Sequence, residues 1–547
     1  MNLKLRIAFS GLLFGTLLPL AHATIAAPVI CPRYAAGSAL IEPKDLFSNR
    51  GILRVTFNYE TRVDSDGNTL YCFMTPDGTQ SPTLHVRPGD ELLITLNNNL
   101  PMPASGSAAK HGMAGMKMDP ITIPGQPHDN CGGMVMTDTS VNLHYHGTNT
   151  PPVCHQDEVI KTLINSGESF NYDVHFPLDE PPGLYWYHPH IHGISEPAVQ
   201  GGATGAIVVE GIENVNREAA RLPERVLVFR DNLVPGTPPD GDIPAWDLSL
   251  NYVPVAYPNY TPVKIGMKTN EKQLWRVVNT AADTILDLEV QYDGVTQPLD
   301  IVGIDGVPTG SQDGTSEGRT LTRNHFRLAT AARVEFVLAG PPAGVKHAVL
   351  LTRSIDTGPY GDNDPRRVVA TIVPSAPAPS LTTSAAGPTP VSRWRFNGLA
   401  EETPVRKRKL YFSEVLSDPS DPASPTNFFI TVDGATPKLF DPNNPPAIVT
   451  TQGSVEDWTI ENRAEENHEF HIHQIHFLVI AKDGKPVDGQ YRDMIDVPYW
   501  SGTGPYPSVT LRMDFRGPDI GDFVYHCHIL GHEDNGMMAV IRVLPRR

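Results

Sequence analysis

The stretch GSVEDWTIEN, residues 453–462, has two relatives in the same chain, NEKQLWRVVN at 270–279 and GDELLITLNN at 89–98. All three alternate apolar and polar residues as a half-buried β-strand does. Each carries a large apolar residue at its sixth position and an asparagine at its tenth. Copies spaced by about 180 residues predict three versions of one β domain in series.

The composition is that of a folded, acidic protein. At 547 residues the chain is too long for one hydrophobic core. Its 52 prolines and 46 glycines favour many short strands over long helices. A net charge of -18 argues against a nucleic-acid-binding surface, and no basic membrane-binding patch is visible.

The N-terminus reads as an export signal covering residues 1–23. Lys4 and Arg6 precede an apolar run at 7–20, and a small-x-small cleavage site follows at 21–23. No later segment is long and apolar enough to span a membrane. We therefore expect an exported protein, periplasmic or secreted, without a membrane span.

Four of the five cysteines lie in the first third of the chain, where an exported protein can form disulfides. They are Cys31, Cys72, Cys131 and Cys154. Four cysteines allow three pairings, of which we favour Cys31–Cys72 with Cys131–Cys154. Cys527 is left over and needs another role.

Eleven of the twenty histidines fall into four short motifs that contain His-x-His pairs, and ten of them, all but His192, are candidate ligands. Residues i and i+2 of a strand point to the same face, so each pair presents two imidazoles together. Four pairs supply eight ligands, whereas a closed zinc site would account for only four. The motifs are LHYHG (His144, His146), YHPHIHG (His188, His190), HEFHIHQ (His468, His471, His473) and YHCHILGH (His526, His528, His532). Isolated histidines such as His22, His85, His175, His325 and His347 are read as ordinary core or surface residues.

Cys527 stands between His526 and His528, so on a strand its thiol points away from both imidazoles. One strand can therefore serve two metal centres through a few covalent bonds. On the thiol side, His468 and His532 complete a His2Cys set, with Met537 as a weak axial ligand. Soft sulfur ligands combined with imidazole indicate a blue-copper site. The middle copy has apolar residues at the offsets where the third copy has His468, His471 and His473.

With these motifs the chain resembles the three-domain multicopper oxidases, the family of laccases, bilirubin oxidases and cuprous oxidases. The resemblance implies an all-β fold of three cupredoxin-like Greek-key β-sandwich domains, with a trinuclear copper cluster between the first and third. The expected domains are 24–212, a copper-free 213–373, and 391–547, with a Pro/Ser/Ala-rich linker at 374–390.

The resemblance also implies four copper ions and a role for each ligand. The type 1 copper would take His468, Cys527, His532 and axial Met537. The type 2 copper would take His144 and His471. One type 3 copper would take His146, His188 and His528, and the other His190, His473 and His526. His192 and His476 match no ligand position.

Two acids are candidate proton relays for oxygen reduction, which consumes four protons. Asp157 lies eleven residues after His146, and Glu533 directly follows His532. Glu158 is expected to be solvent-exposed. Electrons would enter through His532 and pass along Cys527 to the cluster.

The reaction implied by the resemblance is one-electron oxidation of phenolic or aromatic donors coupled to four-electron reduction of O2 to water. A cuprous or other metal-ion oxidase is the alternative, because thioethers favour Cu(I). The insertion at 102–136 carries six methionines and His111. A copper-sequestering protein is a more remote reading, because it would gain nothing from Cys527 joined to further coppers. The expected partners are O2 and a small donor, and the expected state is a monomer.

Overall fold

The computed structural model describes residues 29–102, 131–132, 134–234, 241–311, 313, 317–374, 394–421 and 424–546. The predicted signal peptide, nearly all of the predicted linker, and Met113, Met116, Met118 and His111 of the insertion lie outside the described residues. In the described part, no helix is long and apolar enough to cross a membrane.

The described residues are almost entirely β-structure, which confirms the predicted fold class. Three short α-helices interrupt the strands, together with a 3-10 helix at Arg217–Ala219. The α-helices are α1 (Ser195–Gln200), α2 (Ile212–Val215) and α3 (Leu530–Asp534).

The first pair of sheets contains the strands up to residue 209. One sheet has the order β1-β4-β9-β8-β6 and the other β3-β2-β5-β7. The strands are β1 (Asp45–Phe47), β2 (Ile52–Val63), β3 (Thr69–Met74), β4 (Thr83–Val86), β5 (Glu91–Asn98), β6 (His144–His146), β7 (Ser169–His175), β8 (Gly183–His188) and β9 (Gly205–Val209).

The second pair of sheets lies between residues 224 and 373. One has the order β12-β11-β10-β14-β21-β17-β18 with β19 beside β17, and the other β13-β23-β22-β15-β16 with β20 beside β15. The strands are β10 (Glu224–Leu233), β11 (Trp246–Leu250), β12 (Val253–Val255), β13 (Val263–Gly266), β14 (Lys272–Asn279), β15 (Leu286–Tyr292), β16 (Val295–Thr296), β17 (Leu299–Ile304), β18 (Val307–Pro308), β19 (Leu321–Arg323), β20 (Phe326–Leu328), β21 (Arg333–Ala339), β22 (Ala348–Thr352) and β23 (Arg367–Val373).

The third pair lies between residues 406 and 544. One sheet has the order β25-β24-β27-β33-β29-β30 with β31 beside β29, and the other β26-β35-β34-β28-β32. The strands are β24 (Arg406–Leu416), β25 (Thr426–Val432), β26 (Ile448–Thr451), β27 (Val455–Asn462), β28 (His468–Ile472), β29 (Phe477–Lys482), β30 (Lys485–Pro486), β31 (Tyr491–Arg492), β32 (Met494–Val497), β33 (Ser508–Asp514), β34 (Gly521–Cys527) and β35 (Met538–Leu544). The exact domain boundaries stay a prediction.

The three similar segments occupy matching places in these sheets. β5, β14 and β27 each pair with one strand in parallel (β2, β10, β24) and with another antiparallel (β7, β21, β33). Their large apolar residues, Ile94, Trp275 and Trp458, are buried. Their descent from one repeated domain stays a prediction.

The terminal asparagine of each segment ties the strand end to neighbouring loops. Each side-chain amide donates to backbone carbonyls, and each amide oxygen accepts from the backbone N–H two residues on. The three are Asn98, Asn279 and Asn462. A buried amide bonded on both sides fixes where the strand ends, which explains why the same residue recurs there.

Two disulfides stabilise the first domain, and they are the favoured pairing. Cys31 is bonded to Cys72 and Cys131 to Cys154. Cys527 is a free, buried thiol. The second bridge joins the end of the insertion to the loop that carries Asp157, and so limits the freedom of that loop.

Candidate metal centres

The histidine motifs come together because of how their strands pair. In the first domain β6 lies beside β8, with His144 opposite His188. In the third domain β28 lies beside β34, with His471 opposite His526. The ring of His146 stacks on that of His471 with centroids 4.0 Å apart. The motifs of the two domains therefore meet at one interface.

Eight imidazoles form this buried cluster. The rings of His144 and His473, from different domains, stack at 3.8 Å. Within the cluster, ligand nitrogens of three triplets each lie within 4.8 Å of one another. The triplets are His144, His146 and His471; His146, His188 and His528; and His190, His473 and His526.

Hydrogen bonds fix which nitrogen of several rings faces inward. His188 Nδ1 lies 2.8 Å from the Pro189 carbonyl oxygen, and His471 Nδ1 lies 2.9 Å from that of Asp493. These carbonyls can only accept, so the Nδ1 atoms donate and the Nε2 atoms carry lone pairs. The Nε2 atoms of His188 and His471 are buried without a hydrogen-bond partner among the described residues. Orphaned lone pairs that converge in this way fit metal ions.

Burial keeps the rings of His188 and His190 neutral, as metal ligands must be. Burial, together with the neighbouring His190, lowers the pKa of His188 to about 3. Burial lowers the pKa of His190 to about 4. These two imidazoles are therefore neutral at pH 7, the form that binds a metal cation.

A second group of ligand atoms surrounds Cys527. Its Sγ lies 3.8 Å from His468 Nδ1 and 3.7 Å from His532 Nδ1, and these two nitrogens are 3.0 Å apart. Met537 is buried in the same apolar core, and its carbonyl oxygen accepts from Cys527 N. Burial raises the pKa of the thiol, so a nearby cation is needed to hold it as the thiolate.

The strand β34 joins the two groups. His526 and Cys527 are its last residues and His528 follows, with the thiol in one group and both imidazoles in the other. The side chain of His532 is 12% exposed, whereas His468 and Cys527 are fully buried. An external donor can therefore approach this centre at the edge of His532.

Asp157 lies against the cluster. Its Oδ1 is 2.9 Å from His144 Nδ1 and accepts from Tyr145 N, and its Oδ2 accepts from Gln474 Nε2 at 2.6 Å. Burial raises the pKa of this carboxyl, while the hydrogen bonds from Tyr145 and Gln474 lower it. The contact holds a proton on His144 Nδ1 and leaves its Nε2 free for a metal.

Glu533 is a second buried acid at the cluster. Its Oε2 lies 3.1 Å from His526 Nδ1, and its Oε1 lies 3.9 Å from His190 Nε2. Neither oxygen has a hydrogen-bond partner among the described residues. A buried carboxyl without a donor next to paired imidazoles has the position needed to hold or pass a proton.

The expectation that Glu158 is exposed is wrong. The side chain is 1% exposed and accepts from the backbone N–H groups of Ile160 and Lys161 and from the Thr162 hydroxyl. The carboxylate closes the turn that follows Asp157, and burial is tolerated because hydrogen bonds satisfy the charge. The presence of a charged side chain in the sequence does not show whether that side chain is buried or exposed to solvent.

The two histidines without a ligand position lie outside both groups. His476 is buried with Nε2 2.9 Å from the Asp305 carbonyl oxygen. His192 packs against Phe440 with ring centroids 4.8 Å apart. Of the described insertion methionines, Met136 packs with apolar residues of the first domain and Met102 is exposed.

A cavity of about 270 Å³ opens beside His532. Five carboxyl groups, drawn from all three domains, line this cavity. Among the described residues that line it there is no lysine or arginine. The acids are Glu196, Asp283, Asp362, Asp364 and Glu466. Sequence reasoning missed this site because the five acids come from helix α1 and from separate loops of the second and third domains, far apart along the chain.

Two details indicate that the cavity is built for a cation. A Cβ at Gly531 would lie 3.1 Å from Asp283 Oδ1 and 3.7 Å from Glu196 Oε2, so both oxygens face the space that glycine leaves. Asp364 is 2% exposed, and its Oδ2 is buried without a hydrogen-bond partner in the described structure. An unpartnered carboxylate oxygen is costly unless a ligand satisfies it.

Family models described as multicopper oxidase match residues 135–214 and 415–547. A Staphylococcus aureus multicopper oxidase is 38% identical over 21% of this chain, a match that spans 24% of that relative. A rice protein, multicopper oxidase LPR1 homolog 1, is 24% identical over 88% of this chain and 86% of its own.

Solved structures extend the likeness to the whole fold. A Campylobacter jejuni multicopper oxidase, titled a metallo-oxidase, superposes with a TM-score of 0.65 and 22% identity over 93% of this chain and 96% of its own. This agreement confirms the cupredoxin-like architecture. The chain therefore carries multicopper oxidase domains at residues 135–214 and 415–547, and it is similar to multicopper oxidases over most of its length.

Proposed function

We propose that the protein is a four-copper oxidase that couples one-electron oxidation of a donor to four-electron reduction of O2 to two waters. The observation that carries the proposal is the covalent link between two ligand groups, with Cys527 in one and the adjacent His526 and His528 in the other. A protein that only stores copper has no use for such a link.

We assign the ligands as the sequence predicts. The type 1 copper takes His468, Cys527, His532 and axial Met537; the type 2 copper His144 and His471; one type 3 copper His146, His188 and His528; and the other His190, His473 and His526. The triplets of nearby nitrogens and the His2Cys group support this division.

When bound, copper supplies the one-electron redox chemistry and the reduction of O2. The residues of the chain position the metal ligands and keep water away from them. β34 fixes the separation of Cys527 from His526 and His528, and burial of all three excludes water. The exposed edge of His532 receives the donor.

Two carboxyls handle protons in this proposal. Glu533, beside His526 Nδ1, supplies protons on the side of His190 and His526. Asp157 keeps the proton on His144 Nδ1 and so holds that ring in its binding tautomer. Both are buried beside the cluster, where a group that holds or passes a proton must lie.

The resemblance favours a phenolic or aromatic donor, as in laccases. The cavity beside His532 favours the second candidate, a reducing metal cation, because its five carboxyls surround a space without a lysine or arginine. Opposite charge attracts a cation to the site where the donor must approach. A neutral phenol can donate a hydrogen bond to such a carboxylate but is not attracted by its charge.

Oxygen uptake by the copper-loaded protein tests the proposal, with Cu(I), Fe(II) and a methoxyphenol offered separately. Faster turnover of either metal ion assigns the acidic cavity as the donor site. Faster turnover of the phenol supports a laccase-like enzyme. Copper binding without uptake from any donor would contradict the oxidase and favour a copper-binding protein.

We also propose export to the periplasm or the medium and a monomeric state. The two disulfides support export, because they persist in oxidising compartments. The oligomeric state is checked by light scattering of the copper-loaded protein.

A further inference from the structure

An ion pair between the second and third domains lies beside the histidine cluster and belongs to none of the ligand sets. Arg333 in β21 donates through Nη1 and Nη2 to the two carboxylate oxygens of Asp493, each at 2.6 Å. Both side chains are fully buried. Bidentate pairing fixes the plane of the carboxylate as well as its place.

Asp493 contacts two predicted ligands from different domains. Its carbonyl oxygen accepts from His471 Nδ1 at 2.9 Å, and its Oδ1 lies 3.6 Å from His146 Nε2. The first contact leaves Nε2 of His471 free. At 3.6 Å the carboxylate lies beyond hydrogen-bond distance of His146 Nε2, and both nitrogens of that ring are buried without a hydrogen-bond partner among the described residues.

The glycine that ends the motif LHYHG makes room for the pair. Gly147 has a φ of +84°, and a Cβ there would lie 2.2 Å from Arg333 Nη2 and 2.4 Å from Asp493 Oδ2. A side chain at this position would expel the ion pair from its place next to His146. The local backbone of the first domain is therefore shaped around Arg333 and Asp493.

Arg333 also connects with the first domain, since its Nε donates to the Leu184 carbonyl oxygen at 3.1 Å. Its own N–H donates to Asp305 Oδ1 at 2.9 Å. The guanidinium is thus fixed from all three domains. Without it, Asp493 would be an unpaired buried carboxylate beside the cluster, which is strongly unfavourable.

We propose that Arg333 and Asp493 are positioning residues of the trinuclear centre: Arg333 of the second domain holds Asp493, whose backbone carbonyl sets the tautomer and ring orientation of His471 and whose carboxylate lies beside His146. The inference rests on the proposed copper ligation. It gives the second domain a direct part in the metal site.

The test compares copper-loaded Asp493→Asn and Arg333→Lys with Arg276→Lys. Arg276 is an equally buried arginine whose partners, Glu224 and Glu335, belong to its own domain. The readouts are copper content per chain, the type 2 signal in electron paramagnetic resonance, copper loss to a chelator, and the melting temperature of each apoprotein.

We expect Asp493→Asn and Arg333→Lys to bind cluster copper about 10- to 100-fold more weakly, as loss of a residue that orients metal ligands does. Their type 2 signal should change while the blue thiolate band persists. Arg276→Lys should lower the apoprotein melting temperature with copper affinity and type 2 signal unchanged.

If Asp493→Asn and Arg333→Lys fold as apoproteins yet match the wild type in copper affinity and type 2 signal, the inference is wrong. It is also wrong if Arg276→Lys alters the copper signals as much as they do. Failure of the wild type itself to bind copper or show a type 2 signal would instead contradict the proposed function.

Discussion

At the scale of single residues, the histidine cluster and the group around Cys527 require different contacts from neighbouring residues. The imidazoles of the cluster need only neutral rings with the correct nitrogen free, and hydrogen bonds such as that of His188 to Pro189 provide this. Cys527 needs a cation, because burial raises the pKa of its thiol. The thiol centre therefore depends on its metal, whereas the imidazoles are prepared in advance.

The adjacent methionines Met537 and Met538 provide a matched pair. Both are buried, but only Met537 shares a core with Cys527, while Met538 packs with Val540 and its neighbours. We expect Met537→Leu to raise the type 1 reduction potential, because a weak axial ligand is lost. Met538→Leu should leave the potential unchanged, and both should cost less than about 1.5 kcal/mol of stability. Redox titration of the blue band measures the type 1 reduction potential of each variant. If the Met537→Leu and Met538→Leu proteins have equal potentials, Met537 is not a copper ligand.

Glu533→Gln separates proton supply from electron supply. The amide keeps the shape of the carboxyl but cannot release a proton, so steady-state oxygen uptake should fall by about 10²- to 10⁴-fold. The donor should still bleach the blue band at the wild-type rate when oxygen is absent, because His532 and Cys527 are unchanged. Slower bleaching would assign Glu533 a role in the type 1 centre instead.

At the scale of elements, the sequence pattern predicted the positions of strands and the face of a strand to which side chains point, because strand geometry determines both. Alternation located β5, β14 and β27, and the i, i+2 rule put paired imidazoles on one face of a strand. The copper assignments stay predictions, although the structure brings the ring nitrogens together. Asp493 and Arg333 escaped prediction because their partners lie on other strands, and no spacing along the chain records such contacts. Glu158 was expected to be exposed because it is charged, although its partners lie two to four residues further along the chain.

We expect Asn98, at the end of β5, to contribute more to the free energy of unfolding than the preceding residue, Asn97. Asn98 donates to the carbonyl oxygens of Thr139 and Ile164 and is buried, whereas half-buried Asn97 donates to Asn58. Asn98→Ala removes one hydrogen-bond partner from the carbonyl oxygens of Thr139 and Ile164 and the acceptor of the buried Leu100 N–H, and should cost about 1–3 kcal/mol. Asn97→Ala should cost about 1 kcal/mol or less. Urea unfolding monitored by circular dichroism measures both, and equal costs would contradict the proposed role of Asn98.

At the scale of the whole molecule, function is concentrated where domains meet. The histidine cluster joins the first and third domains, and Arg333 brings the second to its edge. The cavity beside His532 draws its acids from all three domains, with Glu196 from the first and Asp283 from the second. The middle domain therefore contributes residues beside both sites, although its own sequence carries no ligand motif.

The acidic cavity predicts a donor preference that depends on pH. Burial raises the pKa of Glu196 to about 7, so this carboxyl gains its charge as the pH rises through that value. A carboxylate about 7 Å from a cation contributes about 2 kcal/mol at an effective dielectric constant of about 20. The KM for Fe(II) or Cu(I) should therefore fall as the pH rises through about 7, while the KM for a neutral phenol should not follow the same course.

Glu196→Gln tests whether this carboxyl acts on the donor. The other carboxyl groups of the cavity, those of Asp283, Asp362, Asp364 and Glu466, remain in the variant, and burial raises the pKa of each of them. Removing one negative charge should raise the KM for the metal ion about ten-fold or more and flatten its pH dependence, with kcat for the phenol unchanged. Glu213→Gln is the control, since Glu213 is a half-buried acid in the first turn of another short helix, α2. A KM for metal ions that is the same in both variants would mean that cations do not enter this cavity, and the phenolic donor would then be preferred.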